Sequence, residues 1–238
     1  MIRLKIEQKP IKPTHSIKIN ELIKFSEKTI KITKGNYLFQ EGMTAEGLYI
    51  IISGKVQISK ITSDGQELTF RICSQDDIVG EAILFSYSSR YLLTAKVIED
   101  GEVALIRKDI LEDELFKNSS LAFEFMKWMS DQYRKTQTKF RDLILHGKKG
   151  ALFSTLIRMT NSYGVQQRNG ILIDLPITNQ ELANFCGTSR ESVNRALSEL
   201  KKDGILSTNK GKITIHNLQY LKDEICCEDC PAIYCNIE

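Results

Sequence analysis

The chain has 238 residues, of which 42% are hydrophobic, and its formal net charge is +3 at pH 7. This length and composition allow one large or two modest domains with a core that needs no disulfide, and the weak charge neither requires nor excludes a nucleic-acid partner. Met1 to Lys5 alternate in polarity, and no apolar run is long enough for a signal peptide or a membrane span. We therefore expect a cytoplasmic protein with no membrane partner. Thiols stay reduced in the cytoplasm, so clustered cysteines favour metal or redox roles there.

Residues 1–108 are predicted to form a β-roll domain. From Ile30 to Arg107, short runs of alternating polarity are interrupted by glycines, which is typical of a small antiparallel barrel or sandwich. The Asp-Gly pair within Ser63–Gln66 lies between two such runs and predicts a hairpin turn. The composition of residues 20–26 allows a short helix before this region.

Residues 109–146 are predicted to form one long amphipathic helix. The segment contains no Gly or Pro, and its apolar residues recur at steps of three and four. Such a stripe needs a partner, and pairing with a second copy of the chain is the simplest, giving a homodimer. Packing against the β-roll is the alternative, and both faces can be used. The stripe comprises Leu121, Phe125, Trp128 or Met129, Tyr133, Thr136, Phe140 and Leu143.

A hinge is predicted over residues 146–150, which contain two glycines and two lysines. A helix over 151–163 and a strand over 170–175 are expected to follow. The winged helix-turn-helix domain that we predict extends over 147–221, and a cysteine-rich tail over 222–238.

Two capping-box patterns mark a helix-turn-helix. Thr178 with Glu181, and Thr188 with Glu191, each give the T-x-x-E spacing that begins a helix. Gly187 stands between the two predicted helices, where a tight turn needs a left-handed residue. The sequence therefore predicts a short helix, a turn and a second helix.

The second helix carries the residue types that read DNA bases. Arg suits guanine, Glu the cytosine amino group, and Asn adenine or phosphate, and they occupy the first turns, which enter the major groove in such proteins. A merely solvated charged face is the alternative, but the caps, the turn glycine and the base-reading residues agree. A hairpin wing follows around 209–211, with lysines for phosphates. The predicted DNA contacts are Arg190, Glu191, Asn194, Arg195, Ser189, Thr178, Gln180, Lys210 and Lys212.

Four of the six cysteines lie within residues 226–235. From Cys227 the spacing is C-x2-C-x4-C, and steps of this size occur among the thiolate ligands of iron–sulfur clusters. Zinc competes on spacing alone, and a disulfide is the weakest interpretation in a reducing cytosol. Cys227, Cys230 and Cys235 are the predicted metal ligands, whereas the adjacent Cys226 points away in an extended chain.

Three thiolates need a fourth ligand. Cys73 and Cys186 lie at apolar positions and are predicted to be core residues. His146, at the end of the long helix, is possible.

The chain resembles the CRP/FNR superfamily of bacterial transcription regulators across almost its whole length. Residues 189–195, Ser-Arg-Glu-Ser-Val-Asn-Arg, are similar to that family's recognition helix, and residues 79–85, Val-Gly-Glu-Ala-Ile-Leu-Phe, to its barrel motif. The likeness is greatest to the Bacillus-type FNR subgroup, to which the C-terminal cysteines also point. It implies an α+β fold with an N-terminal β-roll, a long dimerisation helix and a C-terminal winged helix-turn-helix. It also implies a homodimer with double-stranded DNA and RNA polymerase as partners.

The same resemblance implies a 4Fe–4S cluster whose fourth ligand is Asp142. The alternative for Asp142 is a surface ion pair with Arg141, Lys139 or Arg158. Enteric FNR proteins carry their cysteines near the N-terminus, and this arrangement is excluded because no cysteine precedes Cys73.

Arg190, Glu191 and Arg195 match the arrangement that reads a TGTGA half-site in CRP-like members. The resemblance therefore implies a TGTGA-N6-TCACA palindrome. Enteric FNR proteins have Val where Arg190 stands here, and they prefer TTGAT. The resulting prediction is an oxygen-sensing activator of anaerobic metabolism genes.

Gly80, Glu81 and Arg90 resemble the family's cyclic-nucleotide pocket, in which a Gly-Glu pair holds the ribose and an Arg-Ser pair the phosphate. Tyr91 replaces the small hydroxyl residue, which removes a short phosphate donor and fills space, so a structural role is favoured. A cyclic-AMP-gated regulator with a structural zinc or redox tail is the alternative function. An enzyme is not expected, because no nucleophile–base pair or phosphate-cradling glycine loop stands out.

Overall fold

The chain divides into two units, with the boundary between Gln132 and Tyr133. The structure is a computed structural model, and it describes residues 19–87 and 90–238. The segment Met1–Lys5, on which the signal-peptide argument rests, lies outside the described residues. None of the described helices combines the length and the apolar character needed to cross a membrane.

Antiparallel strands form the sheet of the first unit, and they confirm the predicted β-roll. The order is β1-β6-β3-β4, with β2 paired to β6 and β5 paired to β3. Register shifts between Ile51 and Val56, where β3 pairs with β6, bend these two long strands. The strands are β1 (Lys28–Ile32), β2 (Tyr37–Phe39), β3 (Gly47–Ile61), β4 (Glu67–Cys73), β5 (Ile78–Val79) and β6 (Thr94–Arg107).

Local signals in this unit were interpreted correctly. A short helix, α1 (Ile19–Leu22), continues as a single 3₁₀ turn (Ile23–Phe25). The predicted hairpin turn joins β3 to β4, with Gly65 at φ +81° and the amide of Thr62 donating to the carbonyl of Gln66 at 2.9 Å.

The prediction of one continuous helix after the β-roll was wrong. The segment forms α2 (Lys108–Lys117) and α3 (Ser119–Leu145), separated by Asn118 at φ −117° and ψ 91°. The Asn118 side chain accepts a hydrogen bond from the amide of Leu121 at 3.1 Å, so it caps the start of α3. An Asn cap therefore ended the helix in a stretch without Gly or Pro.

α3 carries two apolar faces. In the first unit, Leu121, Phe125 and Trp128 are buried in a core that also contains residues of α2 and of the sheet. The other face is exposed along the helix, and it includes Met126, Tyr133 and Phe140 at steps of seven residues. This second face has the spacing of a helix-pairing stripe.

The second unit is built around α4 (Gly147–Tyr163), which is continuously buried from Gly150 to Thr160.

The hinge predicted over 146–150 is shorter than expected, because only His146 separates α3 from α4. The strand expected over 170–175 ends at Ile173. The remaining elements are β7 (Gly164–Gln167), β8 (Gly170–Ile173), α5 (Asn179–Cys186), α6 (Arg190–Lys202), β9 (Leu206–Asn209), β10 (Lys212–Ile215) and α7 (Leu218–Glu224), with the sheet order β7-β8-β10-β9.

Candidate DNA interface and cysteine-tail site

α5 and α6 form the predicted helix-turn-helix. Thr178 caps α5 in a complete capping box with Glu181, and Gly187 ends it in the left-handed conformation at φ +58°. The second predicted capping box was wrong, because Ser189 rather than Thr188 caps α6, its hydroxyl accepting from the amide of Ser192 at 3.3 Å. Because the cap is Ser189, the turn is one residue longer than predicted. The Thr188 hydroxyl is buried without a hydrogen-bond partner among the described residues.

The faces of α6 separate as predicted. Val193, Leu197 and Leu200 are buried. The base-reading types are exposed on the other side, and these residues are Arg190, Glu191, Asn194 and Arg195. The helix therefore presents its donor and acceptor groups to solvent from its first two turns.

Hydrogen bonds fix part of this exposed surface. The backbone amide of Glu191 and the Ser189 side chain hold the pKa of the Glu191 carboxyl below its usual value, so it is an acceptor at neutral pH. Asn179 of α5 donates to the Asn194 side-chain oxygen at 3.0 Å. This bond orients the Asn194 amide and ties α6 to α5.

The predicted DNA contacts outside α6 differ in their exposure and in their partners. Thr178 and Gln180 are exposed at the start of α5, and Gln180 donates to the Asn184 side chain at 2.9 Å. Lys210 is exposed in the wing turn with a positive φ of 48°. The Lys212 ammonium pairs with Asp174, which reduces the charge that it offers to a phosphate.

The tail cysteines and Asp142 line one cavity of about 180 Å³ within the second unit. Cys227 and Cys230 are half-buried, Cys235 is buried, and Cys226 is exposed although it also contributes to the lining. Burial raises the pKa of the Cys235 thiol. Within residues 19–87 and 90–238, no three His, Cys, Asp or Glu side chains are arranged to hold a metal ion.

Asp142 is in the ion pairs that the sequence offered as its alternative role, but they are not at the surface. The residue is 5% exposed, and it pairs with Arg158 at 2.6 Å and with Arg141 at 2.9 Å. Ser154 adds a hydrogen bond at 2.6 Å. Burial acts to raise the pKa of Asp142, but the hydrogen bonds from Ser154 and Arg158 and the Arg158 charge outweigh it, so the pKa lies below the usual value.

The end of the tail is hydrogen-bonded to α4 through its backbone. The carbonyl of Tyr234 accepts from Arg158 at 3.1 Å, and the carbonyl of Cys235 accepts from Asn161 at 2.6 Å. The amide of Ile237 donates to Ser162 at 3.0 Å. These bonds place the last predicted ligand beside the helix at the centre of the unit.

The barrel motif is filled by aromatic side chains. Tyr91 is buried, stacks on Phe39 with 3.8 Å between ring centroids, and donates to the carbonyl of Gly47 at 2.6 Å. Gly80 has a φ of +87°, and a Cβ there would lie 3.3 Å from the Tyr91 ring. Tyr91 therefore fills space beside the Gly-Glu pair, as its size predicted.

The two polar residues of the motif have partners within the β-roll. Glu81 accepts from Arg71 at 2.8 Å, and Arg71 also donates to Gln132 of α3 at 3.0 Å. Arg90 donates to the carbonyl of Gly42 at 2.6 Å. Both predicted nucleotide ligands are thus engaged in structural bonds.

Two family models match the chain. One is described as a cyclic nucleotide-binding domain and covers residues 29–118, and the other as a Crp-like helix-turn-helix domain and covers residues 151–224. The anaerobic regulatory protein of Bacillus subtilis (strain 168) is 57% identical over 219 residues, which are 92% of each chain. The chain belongs to the CRP/FNR family of transcription regulators.

Other members of the CRP/FNR family share less sequence. The CRP-like cAMP-activated global transcriptional regulator of Mycobacterium tuberculosis is 27% identical over 192 residues, covering 81% of this chain and 85% of that one. The solved structure of the c-di-GMP responsive global regulator CLP of Xanthomonas campestris has a TM-score of 0.73 at 24% identity, covering 83% and 97% of the two chains. It shows the same fold.

Family membership settles the broad class of this CRP/FNR regulator. It is a DNA-binding helix-turn-helix regulator and not an enzyme. CRP-family regulators generally act as dimers, which agrees with the exposed apolar face of α3. α5 and α6 are therefore the helix-turn-helix of a DNA-binding protein.

The donor types of the tail cavity fit an iron–sulfur cluster. Four cysteines, the three predicted ligands and Cys226, line it together with the Asp142 carboxylate, and thiolates are the ligands that such clusters prefer. Binding requires these groups to come closer together than the described residues place them. The sequence missed Ser154, which lines the cavity, and Asn161, which donates to the carbonyl of Cys235. Nothing in a buried helix pattern marks which polar residue takes such a role.

Proposed function

We propose that this chain is an oxygen-responsive transcription regulator that carries a 4Fe–4S cluster in the tail cavity. The observation that carries the proposal is that Cys227, Cys230, Cys235 and Asp142, the residues that the sequence singled out, line one cavity. The similarity to an anaerobic regulatory protein supports it.

In this proposal Cys227, Cys230 and Cys235 supply thiolates and Asp142 supplies an oxygen. A bound cluster would supply oxygen-sensitive iron–sulfide bonds, so the site would act as a chemical sensor. A carboxylate is a harder ligand than the thiolates that iron–sulfur clusters prefer, so Asp142 would be the weakest of the four ligands. The protein contributes the position of these groups and their exclusion from bulk water.

α4 is the element that connects the tail to the DNA-reading helices. It bonds to the tail through Arg158, Asn161 and Ser162. On α5, Cys186 lies 3.5 Å from the hydroxyl of Thr155. A change of ligand at Asp142 therefore alters contacts on the helix that supports the helix-turn-helix. A differential stability of a few kcal/mol is enough to shift such an equilibrium.

As a homodimer, the regulator would place two α6 helices in successive major grooves, about 34 Å apart. Arg190, Glu191 and Arg195 then read the two halves of a TGTGA-N6-TCACA-like palindrome, and Asn194 contacts adenine or phosphate. We propose that the bound regulator mainly activates genes of anaerobic metabolism through RNA polymerase.

Anaerobic gel-shift titration of this palindrome tests the function directly. The full chain is purified without oxygen, and half of the sample is exposed to air before titration. We expect at least tenfold weaker binding after exposure, with binding restored by anaerobic reconstitution with iron and sulfide. Equal affinity of the two samples would overturn the proposal.

A cyclic-nucleotide-gated regulator is the second candidate, because the β-roll matches a cyclic nucleotide-binding model. The Arg71–Glu81 pair and the Arg90–Gly42 hydrogen bond argue against it, since they engage the side chains that would hold ribose and phosphate. Tyr91, stacked on Phe39, fills the space beside them. Calorimetric titration with cyclic AMP separates the two candidates. Heat of binding together with a gain in DNA affinity would favour this second function.

A further inference from the structure

The two oxygens of the Asp142 carboxylate have different partners. Oδ2 accepts from Ser154 Oγ and from Arg158 Nη2, both at 2.6 Å. Oδ1 accepts only from Arg141 among the described residues, through Nε at 3.1 Å and Nη2 at 2.9 Å. One arginine therefore stands at each oxygen.

The two arginines differ in how firmly they are held. The side chain of Arg158 is 2% exposed, whereas that of Arg141 is 30% exposed. Arg141 also contacts the exposed carboxylate of Glu228 and lies 3.8 Å from the sulfur of Cys230. A buried guanidinium cannot leave without stranding a buried charge, but a half-exposed one can turn into water at little cost. Oδ2 is therefore fixed, and Oδ1 is able to change its partner.

Arg158 fixes a second part of the site as well. Its Nη1 donates to the carbonyl of Tyr234 at 3.1 Å, and its Nε to Ser154 at 3.2 Å. Tyr234 precedes Cys235, so one guanidinium reaches both the α3 carboxylate and the tail segment that carries the last thiol. Asp142 and Cys235 come from distant parts of the sequence, and the buried Arg158 side chain contacts both Asp142 and the residue that precedes Cys235.

We propose that Arg158 is a positioning residue of the tail site, and that Oδ1 of Asp142 is the ligand oxygen, from which an incoming metal displaces Arg141. Arg141 already lies between a carboxylate and a thiol, the two donor types of the predicted ligand set. The proposal rests on the proposed function only in taking this cavity as a metal site. Outer hydrogen-bond partners of metal ligands are known to change metal affinity by about 10- to 100-fold when they are mutated.

Anaerobic titration of the full chain with Co²⁺ tests the roles of the two arginines. Co²⁺ reports thiolate ligation by its visible absorption, and it binds whether the natural group is a cluster or zinc. We expect Arg158→Gln to weaken Co²⁺ binding by at least tenfold and to alter the spectrum. Arg141→Ala should tighten binding, because a competing cation is removed, and the exposed Arg168→Gln is the matched control. Wild-type affinity in Arg158→Gln, or equal weakening in Arg141→Ala, would overturn the proposal.

A conservative variant keeps the test valid if Arg158→Gln does not fold. Arg158→Lys keeps the charge beside Asp142 but cannot reach both Asp142 and the Tyr234 carbonyl. Hydrogen exchange of this variant, prepared without metal, should show at least tenfold faster exchange at the amides of Cys235 and Ile237, and wild-type exchange in α6. Unchanged protection with unchanged Co²⁺ affinity would overturn the positioning role.

Reconstitution with iron and sulfide distinguishes this inference from the function on which it rests. A wild-type chain that binds Co²⁺ in the expected pattern but assembles no cluster overturns the proposed function and supports the role of Arg158. A wild-type chain that assembles a cluster, with Arg158→Lys and Arg158→Gln assembling it equally well and equally stably, overturns the role of Arg158 and supports the function.

Discussion

Ser154 and Thr155, adjacent on α4, contact two different elements of the second unit. The Ser154 hydroxyl donates to Asp142 at 2.6 Å, while the Thr155 hydroxyl lies 3.5 Å from the sulfur of Cys186 on α5. One peptide unit therefore separates a contact with the tail site from a contact with the helix-turn-helix. In the proposed function, this short path couples the two.

The base-reading role that we propose for α6 predicts a large effect of Arg190→Ala on DNA binding. Loss of a bidentate arginine–guanine contact costs about 1–3 kcal/mol, or roughly 5- to 150-fold in affinity, and relaxes specificity at one base pair. Gel-shift titration of matched and single-base-substituted palindromes measures both effects. The exposed Arg168→Ala, on the loop between β7 and β8, is the control for loss of charge. Equal effects of the two variants would mean that Arg190 acts only through its charge.

The cap of α6 can be tested with two neighbouring hydroxyls. Ser189→Ala removes the acceptor for the Ser192 amide, and loss of a helix cap costs about 1 kcal/mol. Thr188→Ala removes a hydroxyl without a partner among the described residues, so it should cost less. Urea unfolding of the two variants gives the difference. A larger loss of unfolding free energy in Thr188→Ala than in Ser189→Ala would show that Thr188 is the cap, as the sequence predicted.

This cap shows what the sequence could and could not predict. Hydrophobic periodicity and turn residues located the helix-turn-helix, because Gly187 and the capping box of Thr178 leave few alternatives. Two consecutive hydroxyl residues gave two possible caps, and only the turn geometry selects Ser189. The break at Asn118 was missed for a related reason, since an Asn inside a helical pattern is a cap only when its side chain turns back to the backbone.

The tail site shows a second limit. Cysteine spacing predicted its thiols, and a family resemblance predicted Asp142. The buried partners of Asp142 depend on long-range packing of α3, α4 and the tail, which no local pattern encodes. The sequence offered ligation and an ion pair as alternatives for Asp142, and the structure contains the ion pairs in a buried position.

The exposed apolar face of α3 predicts that a single charged substitution on it weakens the dimer. Phe140 is 63% exposed and lies on the seven-residue stripe. Phe140→Glu places a carboxylate opposite its counterpart in a parallel helix pair, which costs both apolar burial and like-charge repulsion. We expect a dissociation constant at least tenfold higher in sedimentation equilibrium. Lys127→Glu, on another face of α3, is the matched control, and an equal effect there would remove the stripe from the interface.

Thiol reactivity should separate the cysteines by exposure and pKa. Cys226 is exposed and should react first with iodoacetamide. Burial raises the pKa of Cys186 to about 11, so this residue stays protonated and unreactive at neutral pH. Because the thiolate is the nucleophile, the labelling rate of Cys186 should rise about tenfold with each unit of increase in pH, up to about pH 11. Mass spectrometry at several pH values measures this order, with urea-unfolded protein as the control. Rapid labelling of Cys186 at neutral pH would contradict its buried position.

We propose that the tail cavity holds an iron–sulfur cluster through three cysteines and Asp142. Anaerobic purification followed by visible absorption and iron and sulfide analysis tests it most directly, with Asp142→Ala and Cys226→Ala beside the wild type. We predict a coloured wild type with about four iron and four sulfide per chain, unchanged in Cys226→Ala and depleted or unstable in Asp142→Ala. A colourless wild type loaded with zinc would contradict the account.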